Sequence, residues 1–220
     1  MRLMPRTDPD HNIMTLPVLR CALLTALILP SGSWARGVDF GQIDTSSSST
    51  SAVLVRVLGD PRAATPAPVA SANYSRWEDG QTGSIGVTKR WRLVPGSRPV
   101  IVGAGVGADS FRSRAPGDHE TEDRPSLRAQ IETYGQVPGG FIYALAQGSS
   151  FRASGFATVR YEPRAIPLAF ELSHINTRGY RANSGALSLP LGRSRWSLRG
   201  GLMRDENEQH GFFGVSYNAF

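Results

Sequence analysis

A chain of 220 residues with one cysteine, one lysine and no apolar stretch long enough to cross a bilayer as a helix has few ways to anchor or staple a fold. A helical span needs about 20 apolar residues, and the longest early run, Cys21 to Pro30, is far shorter. The only cysteine, Cys21, lies in that run. If the run is removed with a signal peptide, the remaining chain can form no disulfide and no thiolate metal site. Lys89 is the only lysine, so every other basic side chain is arginine. Also missing are a phosphate-cradling glycine loop, a zinc-ligand spacing and a nucleophile elbow. No cofactor is expected. No convincing amphipathic helix appears, and nothing resembles a nucleic-acid module.

What is present begins with an export signal. Arg20 precedes the apolar run, and Ser31 to Ala35 (SGSWA) places small residues at Ser33 and Ala35. The pattern predicts a signal peptide over residues 1–35, cut before Arg36, with Met14 as an alternative start. Residues 36–68 differ in composition from the rest of the mature chain. They carry the run Thr45 to Ser51, one apolar stretch from Ala52 to Leu58, and an Ala/Pro stretch from Pro61 to Pro68. That composition predicts a flexible periplasmic leader, with Val53 to Leu58 as an extra strand or a piece entering the fold.

From about Val69 the chain is a succession of short alternating runs separated by turn residues. Ten candidate strands can be drawn: 69–78, 83–94, 99–111, 126–137, 141–150, 154–162, 167–177, 183–190, 195–204 and 211–220. In several the alternation is dyadic. Val100, Val102, Ala104, Val106 and Ala108 oppose Gly103, Gly105, Gly107 and Asp109, and Leu127, Ala129 and Ile131 oppose Arg128, Gln130 and Glu132. One face is apolar and the other polar or tiny. The fold class read from this is all-β: a closed, antiparallel, up-and-down transmembrane β-barrel over residues 69–220, of about ten strands, with eight as the smaller even alternative. A periplasmic β-sandwich would share the period. Strand length favours the barrel, and so do the connections: the short turns at Pro95–Arg98, Pro138–Gly140, Pro163–Ile166 and Leu191–Ser194 alternate with longer polar ones at Arg112–Pro125, Arg178–Ala182 and Asp205–His210.

The inward phase carries Arg90, Arg92, Arg128, Arg160 and Arg199 beside Asp109, Glu132, Glu162 and Glu171. Charges removed from bulk water need partners, so they are expected to pair across the lumen and plug it. Gly103, Gly105 and Gly107 relieve crowding there. Trp77, Trp91, Trp196, Tyr143, Tyr161, Tyr180 and Tyr217 are candidates for interfacial girdles or for core aromatics. Lys89 shares the lipid-facing phase of Ile85, Val87 and Trp91, which suggests a bulge or a register change at that point. The acidic loop with Asp118, His119, Glu120, Glu122 and Asp123 lacks the spacing of a calcium loop, so a solvated loop is expected and no metal site.

Two segments carry resemblances. Gly211 to Phe220 (GFFGVSYNAF) resembles the C-terminal assembly signal of Gram-negative outer-membrane β-barrels, which implies an outer-membrane address and delivery to the barrel-assembly machinery through the strand ending at Phe220. His174 to Gly185 (HINTRGYRANSG) resembles the segment around the catalytic His of the outer-membrane lipid A 3-O-deacylases, with His174, Asn183 and Gly185 in the matching positions. The resemblance implies a site at His174, Asn176 and Asn183 on the lipid side. Asn176 stands where the family has its serine, however, and Ser188 where it has its acid, so no complete triad is spelled. The expected role is therefore non-enzymatic: structural, surface-binding or accessory to the envelope. A deacylase-like hydrolase and an accessory factor in polysaccharide or protein secretion are the alternatives. Arginine binds phosphate bidentately, which makes lipopolysaccharide the expected partner, with surface polysaccharide a further one.

Overall fold

The computed structural model describes residues 39–60, 65–115, 117, 119–177, 180–206 and 208–218. The signal peptide expected over residues 1–35 and the terminal Phe220 lie outside the described residues. Among the described residues, twelve strands follow one another along the chain: β1 (Asp39–Ser46), β2 (Ser49–Val57), β3 (Val69–Trp77), β4 (Gly80–Val94), β5 (Val100–Ser113), β6 (Thr121–Val137), β7 (Gly140–Ser149), β8 (Ser154–Pro163), β9 (Ala169–Thr177), β10 (Tyr180–Pro190), β11 (Trp196–Asp205) and β12 (Gln209–Asn218). Each pairs antiparallel with the next, and β1 pairs with β12, so the sheet closes.

The strand count is twelve and not ten or eight, and the difference lies in the segment read as a leader. Residues 39–57 form the β1–β2 hairpin, which supplies both partners needed for closure: β2 binds β3 and β1 binds β12. The serine run is the turn of this hairpin. Ser49 N donates to Ser46 Oγ at 2.9 Å, and the Thr45 and Thr50 hydroxyls meet at 3.2 Å. Its alternation was hidden because the luminal face of a barrel accepts Ser as readily as charge, which leaves little hydropathy contrast to detect.

The expected difference between short and long connections is absent. At the end holding both described chain ends, the connections are 58–68, 95–99, 138–139, 164–168 and 191–195; at the other end they are 47–48, 78–79, 114–120, 150–153, 178–179 and 206–208. Residues predicted as outer loop continue as strand: Ser113 in β5, Thr121 to Pro125 in β6, Tyr180 to Ala182 in β10. Ladder hydrogen bonds outlast the apolar belt, and strands carrying charge on both faces give no hydropathy signal.

Ladder partners share a face, so the register sorts every side chain. Outward lie Ile85 (62% exposed), Val106 (62%), Leu127 (69%), Leu172 (70%) and Phe213 (69%), with Leu187, Leu198 and Leu202. An apolar surface this continuous is tolerated only when lipid covers it. Trp91, Trp196, Tyr161 and Tyr217 face outward near the chain-end rim, with the Trp196 and Tyr217 rings 5.2 Å apart. Trp77, Tyr143 and Tyr180 face inward, so they belong to no girdle. Lys89 is outward and exposed, in continuous register with Ala104. The irregularity falls later, between Arg92 and Val94. Lys89 stays on the lipid side because its long stem carries Nζ toward the Trp91 ring, 5.5 Å from the centroid.

On the β4–β6 side Ile101 is fully buried, and further along the same wall Arg128 and Asp109 form a buried pair. Arg128 Nη2 donates to Asp109 Oδ1 at 2.9 Å, with side-chain exposures of 2% and 8%. The arginine lies across Gly107, where a Cβ would stand 2.3 Å from its Nε. Gly107 of β5 and Gly86 of β4 are therefore the bed for this buried cation, while Gly103 and Gly105 make room for Thr88 and Gln130.

This architecture has two measurable consequences. Deleting residues 39–57 leaves β3 and β12 with open edges in lipid, so the variant should lose heat-modifiable gel mobility; unchanged mobility would show that ten strands close alone. Asp109→Ala strands Arg128 without its counter-ion and should cost about 3–5 kcal/mol in a urea unfolding titration. A cost under about 1 kcal/mol would mean that solvent already screens the pair.

Candidate functional site

The barrel interior is the place where chemistry converges, and it is built from alternating positions of strands distant in sequence. Arg199 of β11, 2% exposed, is its hub. Nε donates to Asp44 Oδ1 of β1 at 3.1 Å. Nη1 and Nη2 donate to the two carboxylate oxygens of Glu171 on β9 at 3.0 and 3.1 Å, a bidentate fork, and Nη1 also reaches Ser188 Oγ of β10 at 3.3 Å. Glu171 is shared: Arg160 Nη1 of β8 lies 3.7 Å from it, and Arg160 Nε binds Glu162 at 2.8 Å. Gly214 of β12 leaves the room for Asp44, since a Cβ there would stand 2.3 Å from Oδ1.

On the other wall, Arg90 of β4 binds Glu132 of β6 at 2.7 Å and donates through Nε to the Ala67 carbonyl at 2.8 Å. Ala67 belongs to the 58–68 connection, which closes back through Leu58 N to Pro68 O at 2.8 Å. Tyr143 of β7 faces the same space. Ion pairs thus form two groups, one joining β1, β11, β9 and β8 and one joining β4 and β6, with the β2–β3 connection bound to the second through Ala67. Arg92, also in the inward phase, is exposed near the chain-end rim and has no partner among the described residues. Asp44 was missed by sequence reading because it stood inside the segment taken as leader, where only its period relative to Gln42 and Ser46 could have marked it.

The far mouth is crossed by aromatics. Trp77 of β3 stacks on Tyr180 of β10 at 6.1 Å and 12°, and Phe111 of β5 lies 6.1 Å from Trp77 on its other flank. Arg152, in the 3-10 turn Phe151–Ala153, places its guanidinium 3.5 Å over the Phe111 ring and binds Glu120 and Glu122 at 2.7 and 2.9 Å. Arg124 binds Glu122 as well. Beside this cluster a polar cleft of about 600 Å³ runs toward Asn176, Thr177 and Arg181. Of the acidic residues predicted to be solvated loop, Glu120 and Glu122 are thus paired, and Asp118 lies outside the described residues. No cluster of three or more possible metal ligands occurs among the described residues.

His174, Asn176 and Asn183 sit on the outward face of β9 and β10. His174 Nδ1 and Asn183 Oδ1 are 2.8 Å apart, and they are direct ladder partners. Asn176 is one step further along, opposite Arg181. Ser188, at the position of the family's acid, faces the lumen and binds Arg199. The pattern that resembles a deacylase in sequence is therefore split between the two faces of β10.

A closed antiparallel sheet with an apolar outer belt and a polar interior is a membrane-spanning barrel, and such barrels are proteins of the Gram-negative outer membrane. No family model and no curated protein matches the chain. A membrane protein solved in work on in-meso crystallization aligns over 82% of this chain and 83% of its own, with a TM-score of 0.50 and 10% identity. The KdgM porin, solved in complex with a disordered oligogalacturonate, aligns over 82% of this chain and 98% of its own, at 0.49 and 9%. Omp33 of Acinetobacter baumannii aligns over 83% and 97%, at 0.45 and 12%. At these identities the likeness is one of fold, and the chain is similar to known outer-membrane barrels in that respect alone.

Proposed function

We propose that the chain is a non-enzymatic outer-membrane barrel whose lumen is shut to bulk diffusion by its own side chains, and which serves the envelope as a structural and surface-binding protein. The observation that carries this reading is the shared carboxylate of Glu171, held by Arg199 and Arg160 while Arg199 also reaches Asp44 across the closing seam. Twelve strands lie between the roughly eight at which side chains fill a barrel and the sixteen or more of an open porin, so the contents of the lumen decide whether it conducts. Here Arg90, Arg128, Arg160 and Arg199 stand among Asp44, Asp109, Glu132, Glu162 and Glu171, and each of the four arginines is paired with a carboxylate. Cations held in this way by carboxylates leave little unpaired charge to draw anions or cations through the lumen. On this reading the partners are outer-leaflet glycolipid, surface polysaccharide, and the assembly machinery that receives the C-terminal strand.

The lumen is testable by planar-bilayer recording. Wild type should conduct well below an open porin. Glu171→Gln leaves Arg199 with Asp44 as its one carboxylate and Arg160 with Glu162, removes one negative charge from the lumen and should raise conductance with anion preference. Arg199→Gln leaves Asp44 and Glu171 without that cation and should raise it with cation preference. Porin-level conductance in wild type, unaltered by either change, would overturn the closed lumen.

The hydrolase alternative is separated by lipid A acyl-chain analysis. Lipid A incubated with the purified barrel should keep its acyl chains, with or without His174→Ala. Chain release that His174→Ala abolishes would replace the non-enzymatic reading.

A further inference from the structure

The outward wall of β9 to β12 changes character near the turn-bearing mouth. Below, its lipid-facing positions are Leu172, Leu187, Leu202 and Phe213. Above, one ladder row runs His174, Asn183, Arg204 and Gln209 across four successive strands, each the register partner of the next. Asn176 and Arg181 form the next step outward, on β9 and β10. Arg181 and Arg204 stand on adjacent strands of one face, offset by two residues, a diagonal of about 7–8 Å that allows both guanidinium groups to converge on one group. Both are exposed, and among the described residues neither has a carboxylate or carbonyl partner, although Asp205, Glu206 and Glu208 stand in the adjoining turn.

This differs from the luminal arginines Arg90, Arg128, Arg160 and Arg199, each of which is held by a carboxylate. A guanidinium that faces sideways out of a barrel, at the upper edge of its apolar belt, has the bilayer interface as its surroundings. The anionic groups available there are lipid phosphates, and arginine grips phosphate through paired, charge-assisted hydrogen bonds. An exported chain reaches this membrane from the periplasm, so the end holding both described chain ends, Asp39 and Asn218, faces inward and this row faces the outer leaflet.

We propose that Arg181 and Arg204, with Asn183 between them and His174 and Asn176 beside them, form a binding site for a phosphate of the outer-leaflet glycolipid. The His174–Asn183 hydrogen bond fixes the floor of the site. Asn183 then keeps its amide N–H groups as donors toward the same phosphate. The site rests on the outer-membrane placement and is independent of whether the lumen conducts.

The test is titration of the full-length barrel in detergent with fluorescent bis-phosphorylated lipid A, followed by anisotropy. Arg181→Ala/Arg204→Ala should weaken binding at least tenfold, and dephosphorylated lipid A should bind wild type no better than phosphorylated lipid A binds the double variant. Arg193→Ala/Arg195→Ala, which removes the same charge at the opposite rim, should leave binding unchanged. Heat-modifiable mobility identifies folded variants, and Arg181→Gln/Arg204→Gln serves if the alanine pair does not fold. Equal binding by the folded double variant, or equal loss in the opposite-rim variant, would overturn the site. Complete displacement of lipid A by millimolar inorganic phosphate would also overturn it, by showing a free-phosphate site and not a lipid one.

Discussion

Every strand in this chain answers to one requirement: inside a bilayer no water is present to satisfy a backbone N–H or C=O, so a sheet there can have no edge. The β1–β12 ladder is where that requirement is met, and it runs from Phe40 opposite Asn218 to Ser46 opposite Phe212. Once the ring is closed, the period of two decides the rest. Each strand gives alternate residues to lipid and to the lumen, and a shift of one residue would exchange the two faces of a whole strand. The ion pairs inside are therefore a consequence of closure and also a check on register. Arg199 meets Asp44 only if β11, β12 and β1 are all aligned as they are.

Burying so many charges is costly, and paired charges in a low-dielectric interior repay desolvation only with good geometry and further hydrogen bonds. Arg199 meets that condition, with Asp44, both Glu171 oxygens and Ser188 around its guanidinium. Arg128 meets it less fully: its Nε and the Asp109 Oδ2 find no hydrogen-bond partner among the described residues. Gly107 of β5 and Gly86 of β4 matter most at this weaker pair. They leave the room in which the Arg128 side chain lies against the wall, at the expense of any side chain of their own. Small residues and large cations thus complement each other around the ring.

How much of this was legible in the sequence depended on contrast. The apolar-against-charged alternation of Leu127, Ala129 and Ile131 with Arg128 and Glu132 is unambiguous, and the register puts those sets on opposite faces. Asp39 to Val57 was not legible as a hairpin, because Ser46, Ser49 and Ser51 in the lumen oppose Thr45, Thr50 and Ala52 outside, a difference too slight for hydropathy to register. The outer ends of β5, β6 and β10 were lost for a related reason: beyond the belt both faces are wet. Aromatic residues were ambiguous in principle. Trp77 and Trp91 look equivalent in sequence, yet Trp77 stacks on Tyr180 across the mouth while Trp91 stands at the lipid interface.

The same limit governs motifs read along a strand. In a soluble fold, residues a few positions apart can gather in one pocket. In a barrel strand, neighbours of unlike parity face different media and cannot act on the same molecule. On β10, Asn183 looks outward and holds His174, and Ser188, five residues on, looks inward and holds Arg199. A spelling that resembles one catalytic constellation is therefore divided by the sheet into two unrelated contacts, one belonging to the membrane face and one to the luminal network. Spacing alone supports a shared site within one such strand only when the separation is even, and Asn183 and Ser188 are five apart; His174 shares a face with Asn183 because the two are ladder partners across the β9–β10 turn.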